Sequence, residues 1–77
     1  MNTLERFTKV YRKINQSTND LEIIRDLDLS LDLGIDSLKK IQLGVFLEDE
    51  FKITLDAQFF SFKTVGQVID CIDMRLK

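Results

Sequence analysis

These 77 residues contain no histidine, no proline and a single cysteine. Each shortage narrows the function. Without histidine, the usual general base for a serine nucleophile is missing. With no proline and 44% apolar residues, the composition favours a compact helical domain over a disordered segment. One cysteine, Cys71, cannot form an internal disulfide and suits a reducing cytoplasm, where it reads as a small helix residue with a spare thiol. No apolar run approaches the ~20 residues of a membrane span, and the polar N-terminal stretch has no signal-peptide core. A basic stripe interleaved with aromatics is also lacking, so nucleic acid is not an expected partner.

What is present is one small domain, expected to fill residues 1–77 and to be monomeric, with an uneven charge distribution. Residues 1–17 hold Arg6, Lys9, Arg12 and Lys13 against Glu5, whereas residues 18–38 hold Asp20, Glu22, Asp26, Asp28, Asp32 and Asp36 against Arg25. The acidic block runs up to Ser37, where a basic partner is expected.

Periodicity predicts three long helices. Leu4, Phe7, Val10 and Ile14 form one helical face, with Asn2 as cap and Glu5 completing a capping box. NQSTND, residues 15–20, reads as turn chemistry. The chain is helical again from Ser37 to Phe51 behind Asp36 as N-cap. TVGQVIDCIDMRL, residues 64–76, reads as a third helix with Thr64 and Gln67 as another capping box and Val65, Val68, Ile69, Ile72 and Leu76 on one face. DAQFFSF between them allows one short helical turn, with Phe59 and Phe62 as core plugs. The expected fold is all-α: a small four-helix bundle of three long helices and one short one, with a long first loop.

That loop carries DLDLSLDLGIDSL, Asp26 to Leu38, which alternates like a strand but has no second alternating segment to pair with. The leucines are therefore expected to drop into the bundle and leave the aspartates in water. As a calcium loop, the stretch has oxygen donors at its first positions (Asp26, Asp28, Ser30, Asp32), but Leu31 stands where the turn glycine belongs and Ser37 where the bidentate glutamate belongs. No dedicated metal site is expected. Gly34-Ile35-Asp36-Ser37-Leu38 also resembles the GDSL hydrolase block, yet the chain has neither a histidine nor a G-x-S-x-G elbow to make Ser37 a nucleophile.

DLGIDSLKKIQLGVFLEDEF, residues 32–51, resembles the signature of acyl carrier proteins and related carrier domains, and FFSFKTVGQVIDCI, residues 59–72, is similar to their C-terminal part. The resemblance covers nearly the whole chain. It implies a four-helix carrier without catalytic residues, in which a phosphopantetheinyl transferase moves 4′-phosphopantetheine from coenzyme A onto Ser37 and the arm's thiol carries acyl groups as thioesters. The local chemistry agrees: Gly34 permits a tight turn, Asp36 caps the helix, and Ser37 and Leu38 lie where first-turn N–H groups favour a phosphate. The base for Ser37 would come from the modifying enzyme.

The second helix has a surplus apolar stripe. Leu43, Leu47 and Phe51 share one face while Leu38, Ile41 and Val45 share another, and a helix in a small bundle needs only one. In the family this second face docks enzymes: the transferase, an acyl- or aminoacyl-loading ligase, and ketosynthase, acyltransferase or condensation-type enzymes. Lys39, Gln42, Glu48 and Asp49 complete the expected docking residues. Lys39 and Lys40 after D-S-L, Gln42 where fatty-acid carriers usually have glutamate, and Phe59-Phe60 before Thr64-Val65 look more like polyketide or nonribosomal-peptide carriers. Leu33 to Asp36 and the acids 48–50 look like fatty-acid carriers. The reading leans to a free-standing carrier of a specialised pathway, with housekeeping fatty-acid synthesis second. An unmodified helical interaction or calcium-binding module is the alternative of a different class. Gly44 leaves room either for an acyl chain or for close packing.

Overall fold

The computed structural model describes residues 2–15 and 22–76. They form three α-helices, α1 (Thr3–Ile14), α2 (Ser37–Phe51) and α3 (Val65–Arg75), with a 3-10 helix (Ala57–Ser61) before α3. The expected short helix is thus a 3-10 turn rather than a fourth α-helix. The turn expected over 15–20 lies, apart from Asn15, outside the described residues.

Each α-helix starts at its predicted cap. Asn2 Oδ1 accepts from Glu5 N at 2.8 Å and Glu5 accepts from Asn2 N at 3.4 Å; Thr64 and Gln67 make the same reciprocal pair. Asp36 accepts from Lys39 N at 2.8 Å. A cap of this kind contributes about 1 kcal/mol by satisfying an N–H that the helix leaves open.

The helical faces meet in one core. Phe7, Val10 and Tyr11 of α1, Leu43, Leu47 and Phe51 of α2, and Val65, Val68, Ile69 and Ile72 of α3 are all buried, with Leu4 and Ile14 at the edge. Leu76 departs from expectation: α3 ends at Arg75, so Leu76 sits at its C-cap, half exposed. Phe59 is buried and Phe62 partly so, as expected for core plugs. Across α1 and α2, Arg6 donates to the Glu50 carboxylate at 3.0 Å and to its backbone carbonyl at 2.8 Å, and lies over the Phe51 ring at 4.2 Å. That bond from Arg6 holds the Glu50 carboxyl below the usual glutamate range.

The loop from Glu22 to Asp36 is tied to the start of α3. Leu29 N donates to Lys63 O, Val65 N to Leu27 O and Gly66 N to Arg25 O, all within 3.0 Å, around an isolated antiparallel bridge between Asp28 and Thr64. A Cβ on Gly66 would stand 3.2 Å from Arg25 O, so this close approach favours glycine. Beyond the bridge the chain coils instead of extending: Asp32 N donates to Asp28 O and Gly34 N to Ser30 O. In that coil Leu29 and Leu33, four residues apart, point inward together and are buried. Leu31, halfway between them, is turned out and 85% exposed. Burial of every leucine was the wrong expectation because the period changes from two to a helical one within the loop. The acids serve this turn: Asp28 Oδ1 accepts from Ser30 N and Leu31 N, and Asp32 Oδ2 accepts from Asp28 N.

Candidate functional site

Ser37 stands at the end of the acidic loop, and four neighbours fix where it points. The Tyr11 hydroxyl, buried in the core, donates to Leu33 O at 2.9 Å and itself accepts from Asn15 Nδ2 at 2.7 Å. Gly34 follows with φ of +65°, the left-handed region where a side chain is strained, and turns the chain toward α2. Ile35 is buried, and its N–H donates to Leu29 O at 2.9 Å. Asp36, extended at φ −87°, then caps α2. Ser37 is the first helical residue and exposed. The N–H groups of Ser37 and Leu38 have no acceptor within the helix, and no acid lies in its first turn. These donors, at the positive pole of a 15-residue helix, fit a phosphate ester on the Ser37 hydroxyl.

The outer face of α2 continues from Ser37. Leu38, Ile41 and Val45 are 66%, 52% and 59% exposed, and Gln42 is exposed among them. Lys39 is half-buried on the flank of this stripe. Asp49 is exposed and pairs loosely with Lys52 at 3.6 Å. Glu48 has a structural task as well: its carboxylate accepts from Leu55 N at 2.8 Å, holding the chain that leads to the 3-10 helix. Gly44 faces that helix. A Cβ there would come within 3.1 Å of the Phe59 ring, so the glycine lets the two elements pack closely, with a small cavity of about 100 Å³ beside it.

Two residues carry more than their sequence positions suggest. Lys40 Nζ donates to Phe60 O at 2.9 Å and to Phe62 O at 2.7 Å. Burial lowers its pKa from the usual lysine value, partly opposed by attraction to Asp28. Phe60 is half exposed and packs edge-on against Phe59, with ring centroids 5.5 Å apart. It lines a recess of about 480 Å³ with Ile35, Asp36, Ser37, Lys40 and Ile41. The Phe59-Phe60 pair could have signalled this, since adjacent residues on a tight helix cannot both face the core. Phe46 is also half exposed.

Known proteins resemble this chain in sequence and in fold. Residues 9–72 match the family model described as phosphopantetheine attachment site. Over 57 residues the chain is 42% identical to an acyl carrier protein of Porphyromonas gingivalis, covering 73% of each sequence. It is 43% identical over 56 residues to one of Exiguobacterium sibiricum, covering 71% of each. A solved structure described as that of a candidate acyl carrier protein from Mycobacterium tuberculosis superposes with a TM-score of 0.85 at 34% identity, over 94% of this chain and 96% of that one.

Proposed function

The chain belongs to the phosphopantetheine attachment site family of acyl carrier proteins, and from that membership we propose that its 4′-phosphopantetheine is attached to the Ser37 hydroxyl. When bound, the arm supplies the thiol on which acyl groups are carried as thioesters. The protein is a carrier and not a catalyst; its own residues present, orient and are recognised. The observation that carries the assignment is the exposed Ser37 hydroxyl at the first turn of α2, turned outward by left-handed Gly34 and followed by open N–H groups. Asp36 fixes the helix start, Leu38 opens the apolar stripe, and the base for the serine belongs to the transferase. Incubation with coenzyme A, Mg²⁺ and a broad-specificity phosphopantetheinyl transferase should raise the intact mass of wild type and not of Ser37→Ala, which should still fold. Modification of the alanine variant, or none of the wild type, would defeat the assignment.

Residues 1–77 act in this reading as one monomeric carrier unit in the cytoplasm. No helix among the described residues is long and apolar enough to cross a membrane. Partners dock along Leu38, Ile41 and Val45, with Lys39 and Gln42 on the flank and Glu48 and Asp49 further along. They are the transferase, a loading ligase, and ketosynthase, acyltransferase or condensation-type enzymes. A specialised polyketide or nonribosomal-peptide-type pathway is supported by the basic residue Lys39 on the flank of this face and by the Phe59-Phe60 ending. Housekeeping fatty-acid synthesis is favoured by Leu33 to Asp36 and by Glu48, Asp49 and Glu50; the relatives' shared name, acyl carrier protein, fits both. Turnover of the modified protein by fatty-acid synthase enzymes, measured beside their own carrier, separates the two.

A further inference from the structure

Lys40 lies one turn along α2 from Ser37, and its stem crosses to the segment that closes the 3-10 helix. The two carbonyls it holds, of Phe60 and Phe62, lie at the end of that helix, where carbonyls lack intrahelical donors. Bonds from an ammonium are stronger than neutral ones, and two of them on one segment restrain it. Glu48 holds the entry to the same segment through Leu55 N. Between these ties Phe59 is locked inward under Gly44, so Phe60 must face out, into the recess that contains Ser37.

We propose that Lys40 is a positioning residue for the reaction at Ser37: by latching Phe60 O and Phe62 O to α2 it holds the Phe60 ring as the far wall of the Ser37 recess. Phe60 thereby joins Ile41 in the apolar surface that the phosphopantetheinyl transferase covers. The proposal rests on Ser37 being the attachment serine. An enzyme that brings coenzyme A to the Ser37 hydroxyl has to cover the rim of this recess, and a half-exposed aromatic beside Ile41 is the residue type that anchors such contacts. The sequence separates Lys40 and Phe60 by 20 residues, so only the fold brings them together.

The test uses the full chain as substrate of a broad-specificity transferase at saturating coenzyme A, followed by gain in intact mass. Lys40→Met keeps the apolar stem and removes the donors. It should raise KM for the carrier by about five- to thirtyfold, the size of a lost aromatic anchor, with kcat little changed. Phe60→Ala should do the same, and the double variant should be no worse than Phe60→Ala alone because both act through one ring. Lys40→Arg, which retains donors, should recover most of the loss. Hydrogen exchange at the amides of 59–62 should quicken in Lys40→Met and not in Phe60→Ala. A wild-type KM in folded Lys40→Met, or additive effects in the double variant, overturns the latch. Should Lys40→Met not fold, a wild-type KM for Phe60→Ala overturns it instead. Failure of the wild type to gain mass, or gain by Ser37→Ala, strikes the attachment serine and leaves the exchange result to judge the latch.

Discussion

The two faces of α2 are nearly matched in apolar content and opposite in environment. Leu43, Leu47 and Phe51 are at most 4% exposed, while Leu38, Ile41 and Val45 on the other side are at least 52% exposed. Burial removes the first set from water, at about 25 cal/mol per Å² of apolar surface, and so stabilises the fold. The second set is wet in both the folded and unfolded chain and contributes little to the difference between them. Folding therefore explains one stripe and not the other. The unexplained stripe begins at Ser37, as a surface kept for transient contact would.

The largest effect should come from breaking the inner face. Leu47→Ala empties a fully buried site and should cost about 3 kcal/mol in urea unfolding, within the usual range for such a truncation. That is a large share of the stability of so small a domain. Val45→Ala, two residues away, should change stability by less than about 0.5 kcal/mol. It should nevertheless raise KM for the carrier in the transferase assay. Comparable destabilisation by the two variants would mean that the outer stripe is packed in solution and not free for partners.

A smaller effect is expected where the core reaches the serine loop. Tyr11→Phe keeps the ring and removes the hydroxyl that donates to Leu33 O, leaving a buried carbonyl unpaired at a cost of about 1–2 kcal/mol. Because that carbonyl precedes Gly34, hydrogen exchange at the amides of 34–36 should quicken more than in the middle of α2. Uniform quickening across the chain would show that Tyr11 supports global stability alone and does not hold the serine loop in particular.

Much of this was legible in the sequence because it is local. Asn2, Asp36 and Thr64 cap the helices they precede, since a cap acts over three residues. The helical faces of α1 and α2 followed from a period that survives packing, and the proposal of Ser37 rests on a motif of adjacent residues. What escaped depends on distant partners or on a change of period. Leu31 turned outward because residues 28–34 coil around the Asp28 carboxylate. The bridge from Asp28 to Thr64 joins segments that share no pattern. The contacts of Lys40 left no trace in the sequence because its acceptors are backbone carbonyls, which have no residue-type signature. Tyr11 had a readable clue, since a tyrosine on a core-facing stripe needs a partner for its hydroxyl, but the identity of that partner is tertiary.

The smallest effect on stability, and the sharpest on partner choice, is expected at Lys39. It flanks the outer stripe in the first turn of α2, where the helix dipole disfavours a cation. Lys39→Glu should therefore raise stability by at most a few tenths of a kcal/mol, with added repulsion from Asp36 offsetting part of the gain. A rim charge acts mainly on association rate and on the choice among partners. Enzymes of fatty-acid synthesis are expected to meet the acidic helix of their carriers with basic patches, which Lys39 would repel. Lys39→Glu, alone or with Gln42→Glu, should accordingly improve turnover of the modified protein by those enzymes and slow loading by its own partner. Both changes should fade at high salt, because charges at a solvent-accessible rim are screened over about 10 Å at 0.1 M. If the unaltered protein already serves fatty-acid enzymes as well as their own carrier does, Lys39 excludes nothing and the specialised-pathway reading falls.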